Sequence, residues 1–595
     1  MDKNQYISTA DLARILGVTR QAIKKALKGA EGLKIKEVGT GFTYEVTSLP
    51  KVMQERIKSA QAKTVEEMKE FKPTKDGQDI GFEKELWAAA DRLRGNIDSS
   101  EYKHVVLGLL FLKYVSDSFY HRREELVRRT ADPKDKEFYV PNEKSRPSII
   151  ENKDYYQNAE IFYIPEKARW EYLRKFTLNN NIGEKIDEAM GAIERTNTKQ
   201  LKDTLFKRYS TLSLDEHMLG ELVNIFSRIK FDHDLEKEKD TLGRVYEYFL
   251  GQFASAEGKR GGEFFTPRPI VKLLVEVLKP YENARIFDPA CGSGGMFVQT
   301  INYLRERHKD SSHIPIFGQE SNITTYRLCK MNLAIRGIFG SIENGNSYYD
   351  DKFPDLRADF VIANPPFNAE WDPKKLSDKD PRTKYGVAAT GNANFMWIEH
   401  FVHHLAPNGM AGFVMANGAL AVGGKEGEIR KKMIEADLVD IIIACPPKLF
   451  YNVALPVSLW FMSKNKKGDR FRNRTGETLF IDARELFQSI SRKQVTFSPE
   501  QIKKMVDTVS AWRGEKDAGK YKDILGFCKS ASLAEISKNG YVLTPGRYVG
   551  VADEIDDGIP FEEKMAKLSK ELNQSFEKGR ELEKVIQANL KKLGF

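Results

Sequence analysis

The feature that most constrains this chain is an alternation between residues 260 and 465. Short apolar or β-branched runs, ARIFDPA, PIFGQE, DFVIANPP, GMAGFVMAN, DLVDIIIACPP and VSLWFMSK, are separated by stretches with helical spacing. Runs of this length joined through helices predict a mostly parallel sheet covered on both faces. A ligand of such a sheet sits outside the carboxyl ends of its strands, which is where this chain keeps its unusual residues.

The flanking sequence is organised differently. In residues 1–50 a helix start at Ser8-Thr9-Ala10-Asp11 leads through Gly17-Val18-Thr19 into a basic helix holding Arg20, Lys24, Lys25 and Lys28. Two alternating stretches around Gly39-Thr40-Gly41 follow as a hairpin, giving a small winged helix-turn-helix. It is similar to the winged-helix domain of Mu-type phage repressors and transposases, and the four basic residues are its candidate DNA contacts. Residues 51–80 read as a linker and 81–245 as a helical domain, with Val105–Tyr114 a buried helix. Residues 246–500 read as the catalytic domain and 501–595 as a charged helical region. From Phe561 to Leu593 an apolar stripe steps by three or four, a helix of ~50 Å that wants partner helices.

Composition narrows the class. No run reaches the roughly 18 apolar residues of a membrane span, and the start, Met1-Asp2-Lys3-Asn4, is not a signal peptide. Four widely spaced cysteines form no CxxC pair, so the expectation is a reduced, cytoplasmic protein without a disulfide or zinc framework. A net charge of +9 over 595 residues is compatible with a polyanionic partner over part of the surface.

Three strand ends carry chemistry. Asp288-Pro289-Ala290-Cys291-Gly292-Ser293-Gly294-Gly295 is a strand running into a glycine turn and a helix, where backbone N–H groups can meet an anion. Glu320 ends the next strand, the usual position for an acid on ribose hydroxyls. No phosphate-binding GxxxxGK[ST] occurs. The third, Asn364-Pro365-Pro366-Phe367, offers the Asn364 side-chain oxygen and carbonyls of residues that cannot donate. Such acceptors suit an exocyclic amine, and Phe367 can stack on its base. An amine inside a duplex is out of reach unless the base flips out.

In this order, FDPACGSGG, GQE and NPPF resemble motifs I, II and IV of amino-group DNA methyltransferases that use S-adenosylmethionine, and Glu263-Phe264-Phe265-Thr266-Pro267-Arg268 resembles motif X in the γ-type order. Residues 86–117, the EFFTPR segment and LTPGRYVG (543–550) are similar to the modification (M) subunit of type I restriction–modification systems. The resemblance implies an α/β fold with a Rossmann-like S-adenosylmethionine-dependent methyltransferase core, an N-terminal helical domain, the small winged helix and a long C-terminal helix. It implies cofactor contacts from Glu263, Phe264, Phe265, Thr266, Pro267, Arg268, Asp288, Ser293, Gly294, Gly295, Glu320 and Asn346. Asn364, Pro365, Pro366 and Phe367 would hold a flipped adenine for N6 methylation in double-stranded DNA.

It also implies two M subunits with one specificity (S) subunit docked by the C-terminal helix, and leaves open whether a restriction (R) subunit joins. Related tetrads act on cytosine, RNA or protein, so those substrates stay open, as does a DNA-binding scaffold that keeps the fold without turnover. No metal is expected: His400, His403 and His404 lack an acid at ligand spacing and read as a helix face. Cys291 and Cys445 read as packing residues. The basic run from Ser463 to Arg470 reads as a solvated loop or a phosphate-contact strip.

Overall fold

The computed structural model describes residues 6–8, 20–28, 33–38, 41–45, 48–51, 53–54, 81–94, 99–179, 181–212, 215–229, 243–253, 266–307, 314–377, 379–450, 456–468, 470–491, 494–551 and parts of 565–583. The chain divides into two compact units, 1–258 with 327–339, and 259–326 with 340–595.

In the first unit, strands β1 (Tyr6–Ser8), β2 (Ile35–Val38) and β3 (Gly41–Glu45) form an antiparallel sheet in the order β1-β3-β2. Helix α1 (Arg20–Leu27) buries Ile23 and Leu27. Strand β1 is an element the sequence reading lacks, since it places a helix start at Ser8; the helix expected after it lies outside the described residues. Helices α2 (Gly81–Arg92) and α3 (Ser99–Ala131) follow. Around Val105–Leu112 α3 is apolar on all sides and wholly buried, which marks a helix enclosed by others. Lys113, buried just after this stretch, pairs with Asp117 one turn on. Helices α4 (Ile182–Thr196) and α5 (Glu216–Phe226) pack against each other, and α5 also packs on α3. Gly108 lets α3 approach the Tyr209 ring, whose hydroxyl a methyl there would strike; that hydroxyl donates to the Val105 carbonyl at 3.1 Å. Among the described residues no helix is long and apolar enough to cross a membrane.

The second unit is built on a nine-stranded sheet in the order β14-β11-β9-β10-β8-β7-β4-β5-β6. Its members are β4 (Ile286–Asp288), β5 (Ile316–Glu320), β6 (Ser341–Asn344), β7 (Ala358–Ala363), β8 (Leu405–Ala416), β9 (Val439–Ala444), β10 (Val457–Ser463), β11 (Glu477–Asp482) and β14 (Cys528–Ser532). All run parallel except β10 and β14, which pair antiparallel with their neighbours. A separate ribbon joins β12 (Gln488–Ser491) to β13 (Gln494–Thr496). Helices α6 (Arg268–Leu278), α7 (Gly295–Arg305), α8 (Asn394–His404) and α9 (Pro499–Trp512) belong to the same unit. The six runs read from the sequence are all strands of this sheet. Strand β14, within the stretch read as helical, is not: its Cys-Lys-Ser-Ala-Ser carries little β signal, and pairing with β11 makes it a strand.

Two segments are held to the sheet by contacts distant in sequence. The Tyr548 ring of LTPGRYVG stacks on Phe480 of β11 at 3.9 Å, and the Leu543 N–H donates to the Leu420 carbonyl at 2.9 Å. The basic run from Ser463 is a loop exposed at Lys464, Lys467, Gly468 and Arg470, as expected, with one cation turned inward. Lys466 is buried, with Nζ on the Asp437 carboxylate at 2.6 Å and on the carbonyls of Val439 and Glu477. The Arg470 guanidinium lies over the rings of Tyr281, Phe360 and Phe471. Nearby, buried Asp440 of β9 meets Arg474 at 3.0 Å and Arg513 at 3.1 Å; burial works against its charge, but these cations hold its carboxyl below the usual range. The cations serve acceptors at strand ends, which spacing alone does not reveal.

Glu399 of α8 is buried, and one of its oxygens accepts from the Tyr385 N–H at 2.9 Å. Burial pushes its carboxyl up to about 8. In the unfolded chain it ionises near the ordinary ~4.3. Its contribution to stability is therefore complete below that value, is lost as pH rises, and is gone once pH passes the folded value. Glu399→Gln removes this proton linkage. The melting temperature of the variant is expected to fall less than that of the parent between about pH 5 and about pH 8; equal falls would contradict the assignment.

Candidate active site

The chain leaves β4 for β5 and β6 on one side, then returns to lay β7 on the other side of β4. This reversal opens a crevice at the carboxyl ends of β4 and β7. Strand β4 delivers Asp288 and the glycine turn to it. Gly292 (φ 53°) and Gly294 (φ 79°) take left-handed backbone that other residues rarely adopt. Methyl groups added at Gly292 or Gly295 would meet nothing within 4 Å, so the turn borders open space at the start of α7. Ser293 lies between these glycines, partly exposed.

Two acids frame the turn. Asp288 is buried and accepts from the Ala290 N–H at 3.0 Å; burial pushes its carboxyl well above the usual range, and the nearby Glu320 charge adds to this. Glu320, at the end of β5, reaches across to the Gly292 N–H at 3.1 Å, and its other oxygen accepts from the Asn322 N–H at 2.8 Å. The loop after β6 closes the rim. Asn346 is exposed and orders that loop by accepting from the Tyr348 N–H at 2.9 Å, while the buried Ser347 hydroxyl donates to the Pro289 carbonyl at 2.6 Å.

Strand β7 delivers Asn364. Its Nδ2 donates to Thr266 Oγ1 at 2.8 Å. Its Oδ1 is buried with no hydrogen-bond partner among the described residues. Pro365 is buried, Pro366 and Phe367 are half-buried, and the Phe367 ring stands at 85° to that of Phe450, 6.4 Å between centroids. Asn368 follows at φ 51° and is clamped to α8: its N–H donates to Asn394 Oδ1, and Asn394 Nδ2 donates to Asn368 Oδ1, each at 2.9 Å. Thr266 and Pro267 precede α6, and Arg268 opens it, exposed. Glu263, Phe264 and Phe265 lie outside the described residues.

The structure thus brings Asp288, Ser293, Gly294, Gly295, Glu320, Asn346, Thr266 and Asn364 to one edge of one sheet. Thr266, expected to face the cofactor, has its hydroxyl turned to Asn364. Phe450, Asn368, Asn394 and Ser347 go unnoticed in the sequence reading. For Phe450 a signal exists: Cys445-Pro446-Pro447 leads to an aromatic after a strand, as Asn364-Pro365-Pro366 does. Cys445 itself is fully buried and burial pushes its thiol up, and Cys291 is buried under the turn. Of the winged-helix residues, Lys25 and Lys28 are exposed; the side chains of Arg20 and Lys24 lie outside the described residues.

The histidines do gain an acid. Asp351, His400 and His404 each place a possible ligand atom within 4.8 Å of the others, with His404 Nε2 3.2 Å from Asp351 Oδ2. Asp351 comes from the loop before β7 and is distant in sequence, so spacing could not reveal it. The Arg382 guanidinium lies 3.3 Å from His400 Nδ1, a fixed positive charge that opposes a cation there. His404 Nδ1 lies 2.9 Å from the His400 carbonyl, and we read the cluster as tying the loop before β7 to α8.

A sheet reversed at β4, a glycine turn and an amide-ended strand define a class of small-group transferases working on an exocyclic amine. Comparison with known proteins gives the family. The N-6 DNA Methylase family matches residues 237–557, and the HsdM N-terminal domain matches residues 82–226. The chain is 48% identical to the type I restriction enzyme MjaIX methylase subunit of Methanocaldococcus jannaschii, over 86% of this chain and 92% of that one. It is 43% identical to the HindI methylase subunit of Haemophilus influenzae, over 73% of this chain and 100% of that one. A type I restriction-modification system methyltransferase subunit from Streptococcus thermophilus shares the fold, with TM-score 0.65 over 79% of this chain and 99% of that one at 24% identity. The chain belongs to the methylase (M) subunits of type I restriction enzymes, which are DNA methyltransferases.

The bond from Asn364 to Thr266 fixes which end of the amide is left as the acceptor. Thr266→Val leaves Nδ2 without its buried partner, at a cost of about 1–3 kcal/mol, and frees the amide to turn over. We expect Thr266→Val to lower the methylation rate about tenfold or more while Thr266→Ser stays within about threefold of the parent. Equal rates for the two variants would contradict the positioning role.

Proposed function

We propose that this M subunit methylates N6 of an adenine flipped out of duplex DNA, using S-adenosylmethionine as methyl donor. The observation that supports this most is the Asn364 amide, whose nitrogen is held by Thr266 and whose buried oxygen has no partner among the described residues. A buried acceptor without a partner is costly, and an amine with two N–H donors is the ligand that relieves it. Asn364 Oδ1 and the Pro365 carbonyl accept the two N6 hydrogens, which favours a pyramidal nitrogen with its lone pair available. Phe367 and Phe450 present rings to the extruded base.

The residues around the glycine turn fit the cofactor. The open space beside Gly292 and Gly295 admits it, buried Asp288 faces its ammonium, Glu320 takes ribose hydroxyls, and the turn from Ser293 to Gly295 lines its methionine end. Asn346 borders the adenine ring, and Thr266 to Arg268 border the methionine end. When bound, S-adenosylmethionine supplies the electrophilic methyl group.

In this reading the subunit works in the cytoplasm, in a complex of two M subunits and one specificity subunit that selects the DNA site, with a restriction subunit as a further member. The helical pieces between 565 and 583 expose Met565, Leu572, Phe576 and Leu582, apolar side chains suited to docking the specificity subunit. The winged helix, with Lys25 and Lys28 exposed, adds a DNA contact.

Modification-sensitive sequencing of DNA from cells expressing the chain with its neighbouring genes tests the reaction. The parent is expected to give N6-methyladenine at one split sequence, and Asn364→Ala to lose it. Identical methylation in both would overturn the adenine reading.

A further inference from the structure

Between β7 and α8 the chain makes one long loop whose two ends are zipped together at the exit of the Asn-Pro-Pro-Phe turn. Beyond the Asn368–Asn394 pair, the Ala393 N–H donates to the Ala369 carbonyl and the Gly391 N–H to the Trp371 carbonyl, each at 3.0 Å. The body of the loop reaches the other half of the crevice, where the loop after β6 holds Asn346 and Ser347. The Asp372 N–H donates to the Tyr349 hydroxyl at 2.8 Å. Arg382 is buried, and its guanidinium donates to the Ser347 and Tyr348 carbonyls, each at 2.7 Å.

Arg382 is itself aimed, since the Asp380 carboxylate accepts from its Nε at 2.9 Å and from its Nη2 at 2.6 Å. The rim loop folds around Asn346, whose side chain takes the Tyr348 N–H and whose carbonyl takes the Tyr349 and Asp350 N–H groups at 3.0 and 2.8 Å. Its N–H groups thus go to Asn346 and its carbonyls to Arg382. A planar guanidinium serves two carbonyls at once, a fork that a lysine ammonium does not reproduce.

We propose that Arg382 is a positioning residue for the cofactor. From the loop that leaves the base-binding turn, it sets the rim that carries Asn346 and Ser347, and so the affinity for S-adenosylmethionine. This rests on the cofactor reading of the crevice. Arg382 acts through Asn346 and through Ser347, whose hydroxyl donates to the Pro289 carbonyl before the glycine turn. A rim that holds the cofactor equally in the ground state and the transition state governs KM and leaves kcat alone.

The test uses the complex purified with the products of the neighbouring genes, varying S-adenosylmethionine and a duplex carrying the site found by sequencing in turn. Arg382→Lys is expected to raise KM for S-adenosylmethionine about tenfold, with kcat within about threefold and KM for the duplex within about twofold of the parent. Tyr349→Phe removes only the hydroxyl that Asp372 meets and is expected to raise the same KM about threefold; it carries the test alone if Arg382→Lys does not assemble. A lower kcat at unchanged KM, the mark of fewer folded molecules, would overturn the proposal. So would equal rises in KM for cofactor and duplex, or parent values in both variants. A parent complex whose methylation does not depend on S-adenosylmethionine would instead remove the cofactor reading, and the proposal with it.

Discussion

The arrangement depends on how β4 and β7 are held side by side. Their register comprises Ile286 opposite Phe360 and Phe287 opposite Val361, and it is locked where the strands begin. The Arg285 backbone N–H donates to the Asp359 carboxylate at 2.9 Å, its guanidinium to the same carboxylate at 3.1 Å, and the Asp359 N–H to the Arg285 carbonyl at 3.0 Å. With the starts aligned, the ends bring Asp288 and Asn364 to one crevice. Every other site contact refines that juxtaposition: Glu320 bridges from the next strand, Ser347 ties in the loop after β6, and the Asn368–Asn394 pair fixes the exit of the Asn-Pro-Pro-Phe turn.

The division of labour follows from which strand supplies which group. The β4 and β5 side supplies two carboxylates and the glycine turn, which the proposed function assigns to the cofactor. The β7 side offers acceptors and aromatic rings, chemistry for a planar base with an amine. Among the described residues the Asn364 oxygen is buried without a partner, a local cost that the rest of the sheet offsets. Burial and the neighbouring Glu320 charge raise the Asp288 carboxyl, so a cation beside it would be met by a group whose ionisation it favours.

Much of this was legible because strands that end in chemistry announce themselves. Apolar runs bounded by Asp-Pro, Gln-Glu and Asn-Pro-Pro pointed to the sheet and to Glu320 and Asn364 as ligand-facing groups, while the role of Asp288 came from the family resemblance. What was not legible depends on tertiary pairing. Strand β14 has little β signal and exists because β11 accepts it. Lys466 looks like a surface charge until Asp437 and two carbonyls surround it. Asp351 reaches His404 only because the loop before β7 folds onto α8. Thr266 sits in a stretch that resembles a cofactor segment, yet its hydroxyl serves the base-binding amide. Strand β1 is a like case, since Tyr6–Ser8 is a strand only through its pairing with β3.

The measurement that bears most directly on this account is equilibrium binding of a non-transferable S-adenosylmethionine analogue to the purified protein and two variants. Asn364→Ala should bind the analogue as the parent does, because its oxygen addresses the base. Asp288→Asn should bind about tenfold or more weakly, through loss of a buried charged contact. Equal loss in both variants would contradict a crevice divided between cofactor and base.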